Sequence, residues 1–374
     1  MTQPYLQHAH PGVASLHPYQ PGKPMDELQR EMGLERIIKL ASNENPLGAS
    51  PKARAVLAQG ADELGRYPDG SGYRLKQCLA EYHGVDMGQI TLGNGSNELL
   101  ELLTRVFLGP GKSVVYSQYG FAVYPLVSQA VGAIRREVPA HTPDHEQPYG
   151  HDAEAMLAAL DATTRMIFVA NPNNPTGTWW TPDEVKAFVE QVPADVIVVL
   201  DEAYFDYVDP QLQCDSVALL RQHPNLVITR TFSKVHGLAA LRVGYGLSHP
   251  DLADLLNRAR QPFNNNSLAL AAAEVSIRDQ DHVRRSVDMN RAGMTRLRQQ
   301  LHELGLQTIP SEANFITVDM GRESYPIYQD MLAQGVILRP MASYNMPNHL
   351  RITIGTEDEN RFCMDALKKV LQVA

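Results

Sequence analysis

Lys234 stands in the run Val227-Ile228-Thr229-Arg230-Thr231-Phe232-Ser233-Lys234-Val235-His236-Gly237, just after an apolar stretch, Leu226 to Ile228, that predicts a short buried strand. Thr231 and Ser233 precede the lysine, and Arg242 follows it eight positions later. A lysine in that setting is poorly explained as a solubilising surface charge. It makes sense as an amine nucleophile whose hydroxyl and guanidinium neighbours hold an anion. A carbonyl cofactor that carries a phosphate requires both an amine to condense with the carbonyl and donors to grip the phosphate.

Two further polar clusters lie upstream. Asn171-Pro172-Asn173-Asn174-Pro175-Thr176-Gly177 follows the apolar run Met166 to Ala170, and Asp201-Glu202-Ala203-Tyr204 follows Asp195 to Leu200. Three predicted strands thus end in polar residues, the pattern expected where parallel strands deliver a site at their carboxyl ends. Gln89 to Leu92 predicts another strand, and Gly93-Asn94-Gly95-Ser96-Asn97-Glu98 then opens a helix with Leu99, Leu102, Leu103, Val106 and Phe107 on one face. Such a helix start suits a phosphate; Ser96 or Asn97 could equally serve as an ordinary cap. Tyr119 follows the predicted strand Ser113 to Ser117, either as a ring that stacks on a cofactor or as a core or rim tyrosine. Arg339 and Arg351 are either surface cations or a clamp for an anionic substrate, since a guanidinium binds carboxylate or phosphate through two parallel hydrogen bonds.

The ordered set NPNNPTG, DEAY, SK and R resembles the fold-type-I aminotransferases, which use pyridoxal 5'-phosphate. Within them the chain is similar to the histidinol-phosphate aminotransferase family, over nearly its whole length. The segments that carry this narrower likeness are Pro18 to Pro24, Leu40-Ala41-Ser42-Asn43-Glu44-Asn45-Pro46-Leu47-Gly48, Arg66-Tyr67-Pro68-Asp69-Gly70 and Leu350 to Thr356. The resemblance implies an α/β fold: a large domain with a mostly parallel seven-stranded sheet flanked by helices, plus a smaller α+β domain. It also implies roles. Lys234 would hold the cofactor covalently and then act as general acid and base. Asp201 would pair with the ring nitrogen, while Tyr204 and Asn174 would bond the ring oxygen and Tyr119 would stack on the ring. Ser96, Asn97, Thr231, Ser233 and Arg242 would bind the cofactor phosphate, and Tyr67 would reach it from the other subunit of a homodimer. Arg339 and Arg351, with Tyr19 and Asn43 nearby, would hold the substrate. The implied reaction is amino transfer between L-histidinol phosphate and 2-oxoglutarate, giving imidazole-acetol phosphate and L-glutamate, a step of histidine biosynthesis.

The chain departs from the family pattern at Val235, His236 and Ala240, and at Asn345, where glycine is common. Asparagine tolerates the left-handed backbone that such a glycine would adopt. Other functions share part of the machinery. An aromatic amino-acid aminotransferase would use Arg351 for an α-carboxylate, and a threonine-phosphate decarboxylase would use the same cofactor residues. A non-catalytic, cofactor-binding regulatory module would usually carry a DNA-binding domain, and the N-terminal arm here is short and not basic.

The elements that must position these residues follow from pattern and length. The 374 residues suit two domains, predicted as an arm over 1–45, a large cofactor-binding domain over 46–265 and a small domain over 266–374. Helices are expected from Met25 to Met32, Tyr73 to His83, Thr181 to Val192, Leu270 to Leu304 with a break near Asp279 to Asp281, Tyr325 to Gln334 and Glu357 to Val373. Further strands are expected over Val131 to Val138, Thr308 to Val318, Gly335 to Arg339 and Leu350 to Ile354. His141 and His145 have helical spacing, but Pro143 between them argues against the helix a metal pair would need.

Composition narrows the class. Hydrophobic residues make up 44% and charged residues 20%, ordinary for a globular core, and the formal net charge of −9 argues against nucleic acid or anionic membrane as main partner. The three cysteines, Cys78, Cys214 and Cys363, lack metal-ligand spacing and point to a reducing compartment. Met1 to Gln20 lacks the pattern of a signal peptide, so a cytoplasmic enzyme without a metal is expected.

Overall fold

The computed structural model describes residues 5, 8–18 and 22–372. Its centre is a seven-stranded sheet in the order Ile90–Gly93, Gly244–Leu247, Leu226–Thr231, Ile197–Asp201, Thr164–Ala170, Ser113–Ser117, Ile134–Val138. The last five are mutually parallel, while Gly244–Leu247 runs antiparallel to both of its neighbours. Alternate residues of the central strands divide between two cores. Ile167, Val169, Val198, Leu200 and Ile228 pack with helices Tyr73–His83, Pro182–Gln191 and Ser216–Gln222. Met166, Phe168, Ile197, Val199 and Val227 pack with Ser96–Phe107, Val123–Ala130 and Pro250–Ala259 on the other face. A parallel sheet covered on both faces requires strands that are apolar throughout, hence the unbroken runs in the sequence. Each such Val, Leu, Ile or Phe contributes about 1.5–3 kcal/mol by burial.

The C-terminal part has its own core, built on a four-stranded antiparallel sheet in the order Arg339–Pro340, His349–Thr353, Phe315–Asp319, Gln307–Thr308. Helices Gln280–Glu303, Ser324–Ala333 and Glu357–Leu371 surround it. Three features differ from the pattern read in sequence. The expected strand over Gly335 to Arg339 is two short strands in different sheets: Val336–Ile337 pairs with Ile38–Lys39, and Arg339–Pro340 pairs with His349–Thr353. The first pairing, with Leu28, Ile38, Leu40 and Ala41, builds the arm into the C-terminal core. Helix Ser267–Arg278, expected in the small domain, instead buries Ala269, Ala272, Ala273 and Ile277 in the core of the large sheet. The long helix does break where expected, with Asp279 between Ser267–Arg278 and Gln280–Glu303 and bonded to Lys52 at 2.9 Å. Thr308 to Val318 is likewise interrupted, where Ser311 turns the chain by donating to the Phe315 carbonyl at 2.7 Å.

Among the described residues, no helix is long and apolar enough to cross a membrane.

Candidate active site

The carboxyl ends of three parallel strands converge on one cavity of about 250 Å³. Thr164–Ala170 leads into Pro172 and Asn174, Ile197–Asp201 ends on Asp201 itself, and Leu226–Thr231 leads into Ser233 and Lys234. Ser96 and Asn97 enter from the first turn of helix Ser96–Phe107, and Arg339 and Arg351 from the C-terminal sheet. Asn43 and Tyr204 also line it, with Ser42, Glu44 and Arg242.

Asp201 is buried. Tyr124 donates its hydroxyl to Asp201 Oδ2 at 3.0 Å, and Thr229 donates to Oδ1 at 3.2 Å. Burial holds the carboxyl above its ordinary value, and the hydrogen bonds from Tyr124, Thr229 and the Ala203 backbone, with the Lys234 ammonium, offset that only in part. A carboxylate so held is suited to a cationic ring nitrogen. Lys234 donates its ammonium to the Ser42 carbonyl at 3.2 Å and lies 5.5 Å from the centre of the Tyr204 ring. Tyr204 is buried against Phe315, and its hydroxyl accepts from Asn43 Nδ2 at 2.9 Å.

One end of the cavity is a set of anion donors. Gly95 precedes helix Ser96–Phe107 at φ 78, and Arg242, itself at φ 56, donates to the Ser233 hydroxyl at 3.4 Å and the Ala239 carbonyl at 3.0 Å. Ser233 N–H donates to Thr231 Oγ1 at 3.1 Å. Two glycines keep this cradle open. A Cβ on Gly95 would lie 2.4 Å from the Arg242 guanidinium, and one on Gly244 would lie 2.6 Å from the Ser96 backbone nitrogen. A helix N-terminus with a guanidinium beside it suits a phosphate by geometry and by field.

Arg339 and Arg351 are direct partners across their antiparallel strands. Arg351 is buried, donates to the Asn174 side-chain oxygen at 2.5 Å and the Ala41 carbonyl at 2.8 Å, and lies 5.1 Å from the centre of the Phe315 ring. Of the two adjacent asparagines, Asn174 reaches the cavity. Asn173 is fully buried and braces the turn, donating to the Tyr119 carbonyl at 2.9 Å and to Thr176 Oγ1 at 2.8 Å.

Two of the expected residues do not line this cavity. The Tyr119 ring packs edge-on against Tyr149 at 5.3 Å, and Phe121, two residues on, lines the cavity. Between the two rings the chain makes a tight turn, in which Gly120 N–H donates to the Ser117 carbonyl at 2.7 Å. Tyr67 is 84% exposed and stacked on Phe263 at 4.9 Å, away from the cavity of its own chain. Tyr19 lies outside the described residues. Sequence reasoning also missed Tyr124, the donor to Asp201, because nothing in its pattern separates it from a core tyrosine. The departures from the family pattern sit behind the lysine: Val235 is buried with its carbonyl accepting from Asn45 at 2.7 Å, and His236 packs on Phe232. Asn345 adopts φ 59, the conformation in which asparagine can replace glycine. His141 and His145 stack their rings at 3.8 Å in the polar loop.

Comparison with known proteins agrees with this geometry. The family model described as aminotransferase class I and II matches residues 35–367. Histidinol-phosphate aminotransferase 2 of Pseudomonas fluorescens is 56% identical over 99% of both chains, and the protein of that name from Pseudomonas aeruginosa is 54% identical over 98% of both. Among solved structures, histidinol-phosphate aminotransferase from Sinorhizobium meliloti, in complex with pyridoxal-5'-phosphate, superimposes with a TM-score of 0.87 at 28% identity, covering 97% of each chain. Aspartate aminotransferase from Thermus thermophilus shares the fold at a TM-score of 0.82 and 18% identity, over 96% of this chain and 98% of that one. This chain belongs to the class I and II aminotransferases and, within them, to the histidinol-phosphate aminotransferase family.

Proposed function

We propose that this chain moves the amino group of L-histidinol phosphate to 2-oxoglutarate, with pyridoxal 5'-phosphate as cofactor, in histidine biosynthesis. The observation that carries the proposal is a single cavity in which Lys234 and Asp201 share space with two separate sets of anion donors. One set, at Ser96, Asn97 and Arg242, suits the cofactor phosphate. The other, Arg339 and Arg351, suits the phosphate of histidinol phosphate and a carboxylate of 2-oxoglutarate. Relatives more than half identical bear the corresponding name.

The residues present fit the cofactor on structural grounds: the Gly95 and Gly244 cradle has no room for a Cβ, and Asp201 is a buried, doubly bonded carboxylate. When bound, the cofactor supplies a ring that accepts the negative charge developing at the substrate's Cα. Lys234 provides the anchoring amine and then moves the Cα proton. Asp201 keeps the ring nitrogen protonated. Tyr204 and Asn174 hydrogen-bond the ring oxygen, and Tyr119 stacks on the ring, with Phe121 in the cavity wall beside it. Substrate orientation falls to Arg339 and Arg351, with Asn43 supporting the wall and Tyr19 assigned from sequence.

The active unit is a homodimer in this proposal. Tyr67, with the half-exposed Phe263 ring beside it, forms an exposed apolar surface that a second copy would cover, letting Tyr67 reach the partner's phosphate cradle. The enzyme acts in the cytoplasm, where Cys78, Cys214 and Cys363, buried as free thiols, stay reduced.

The test is direct: protein loaded with pyridoxal phosphate is given histidinol phosphate and 2-oxoglutarate, and glutamate is measured. Steady glutamate formation is expected; none would refute the proposal. Gly244→Ala is expected to weaken cofactor binding at least about tenfold, since the added carbon meets backbone that cannot swing aside. Equilibrium titration of the apo-protein checks this. Arg339→Gln is expected to raise the KM for histidinol phosphate by about 10–100-fold, the scale of a lost charge-assisted hydrogen bond, with a smaller change in kcat. Steady-state kinetics check it.

A further inference from the structure

Thr353 ends the strand that carries Arg351, is fully enclosed, and has no role in the chemistry described so far. Its hydroxyl faces Asn43. Asn43 N–H donates to Thr353 Oγ1 at 3.0 Å, and Thr353 Oγ1 donates in turn to Asn43 Oδ1 at 3.1 Å. Asn43 Nδ2 then donates to the Tyr204 hydroxyl oxygen at 2.9 Å. The remaining backbone acceptor, Asn43 O, receives Asn314 Nδ2 at 3.0 Å. Asn43 is itself buried, at φ 56, so its side chain is held on a backbone that few residue types adopt readily.

The direction of this chain of bonds follows from counting protons. Thr353 Oγ1 already accepts a backbone N–H, so its own proton needs an acceptor, and Asn43 Oδ1 is the one within reach among the described residues. Turning the amide round would set Nδ2 against Thr353 and strand the threonine proton in a buried site, which costs about 1–3 kcal/mol. With the amide fixed, Tyr204 receives a hydrogen bond from Asn43 and cannot donate to it. The tyrosine proton is left to point into the cavity that Lys234 and Asn174 share.

We infer that Thr353 is a positioning residue: through Asn43 it fixes Tyr204 as a hydrogen-bond donor toward the ring oxygen of the bound cofactor. This rests on the proposal that the cavity holds pyridoxal phosphate. Tyr204 alone could rotate its hydroxyl toward Asn43 or toward the cofactor; the Thr353–Asn43 pair removes the first option. It also ties the donor to the strand of Arg351, so that substrate and ring-oxygen contacts share one element.

The consequence is readable in the resting holoenzyme. A donor on the ring oxygen draws off its negative charge and so weakens its hold on the proton shared with the lysine-linked nitrogen. Losing that donor raises the pH at which the visible absorption band of the holoenzyme changes. Thr353→Val keeps the shape and removes the hydroxyl, and is expected to raise this midpoint by about 0.5–1 pH unit, the scale of one hydrogen bond. Thr353→Ser keeps the hydroxyl and is expected to leave it in place. Tyr204→Phe should raise the midpoint by itself, and Thr353→Val added to Tyr204→Phe should raise it no further. A midpoint unmoved by Thr353→Val, an equal shift in Thr353→Ser, or an undiminished shift in the Tyr204→Phe background would overturn the inference. A wild-type protein that develops no visible band with pyridoxal phosphate would overturn the cofactor assignment itself, a different failure from a wild-type band that Thr353→Val leaves untouched.

Discussion

Lys234→Ala is expected to lower kcat for amino transfer by at least about 10⁴-fold, the upper range for a general acid–base group, with the covalent role adding to it. The reason lies in what surrounds the ammonium. It sits in the shared cavity beside Tyr204, held by the Ser42 carbonyl. Water that entered in its place would be a far weaker base and could not form the covalent anchor. The strand that leads to the lysine is buried from Leu226 to Thr231 and does not include it, so the fold should survive the truncation. Pre-steady-state kinetics on the loaded variant, alongside circular dichroism, separate the two effects. Turnover near wild type in a folded Lys234→Ala protein would remove the mechanism.

The second large effect is expected at Asp201. Asp201→Asn keeps the volume and the hydrogen-bonding neighbours but removes the charge that would hold a ring nitrogen protonated. A loss of about 10²–10³-fold in kcat is expected, the range for removing one preorganised electrostatic contact from a buried site. Asp201→Ala should lose as much or more. It also leaves the Tyr124 and Thr229 hydroxyls without their acceptor, so its thermal midpoint should fall while that of Asp201→Asn stays closer to wild type. The comparison of kcat and Tm across the pair isolates charge from packing. An unchanged kcat in Asp201→Asn would remove the electron-sink role.

Much of this site was legible before the fold. The parallel strands are apolar on both faces, so their ends, and the polar residues at those ends, could be found by eye at Asn174, Asp201 and Lys234. What sequence could not decide were choices between similar neighbours. Asn173 and Asn174 are adjacent and alike, so pattern alone does not separate them; the resemblance names Asn174, and the turn that Asn173 braces places Asn174 on the cavity. Tyr119 and Phe121 stand two residues apart, on either side of the Gly120 turn, and pattern alone does not say which ring lines the cavity. Contacts between distant segments were also hidden. The Ile38–Lys39 pairing with Val336–Ile337 spans most of the chain, and no local pattern announces it. Helix Ser267–Arg278 has an alanine-rich face suited to close packing, which does not say on which core it packs. The Thr353–Asn43–Tyr204 relay belongs to the same class, joining three segments through hydrogen bonds rather than through a motif.

The substrate assignment turns on whether the arginine pair serves a phosphate or an α-carboxylate, and an aromatic amino-acid aminotransferase on this scaffold would use the same pair. The deciding measurement is kcat/KM for histidinol phosphate against phenylalanine and tyrosine, each with 2-oxoglutarate and the same loaded protein. A preference for histidinol phosphate of about 10–100-fold is expected, since a charge-assisted contact to its phosphate contributes about 1.5–3 kcal/mol. Equal values, or a preference for the aromatic amino acids, would contradict the assignment while leaving the fold and the lysine chemistry in place.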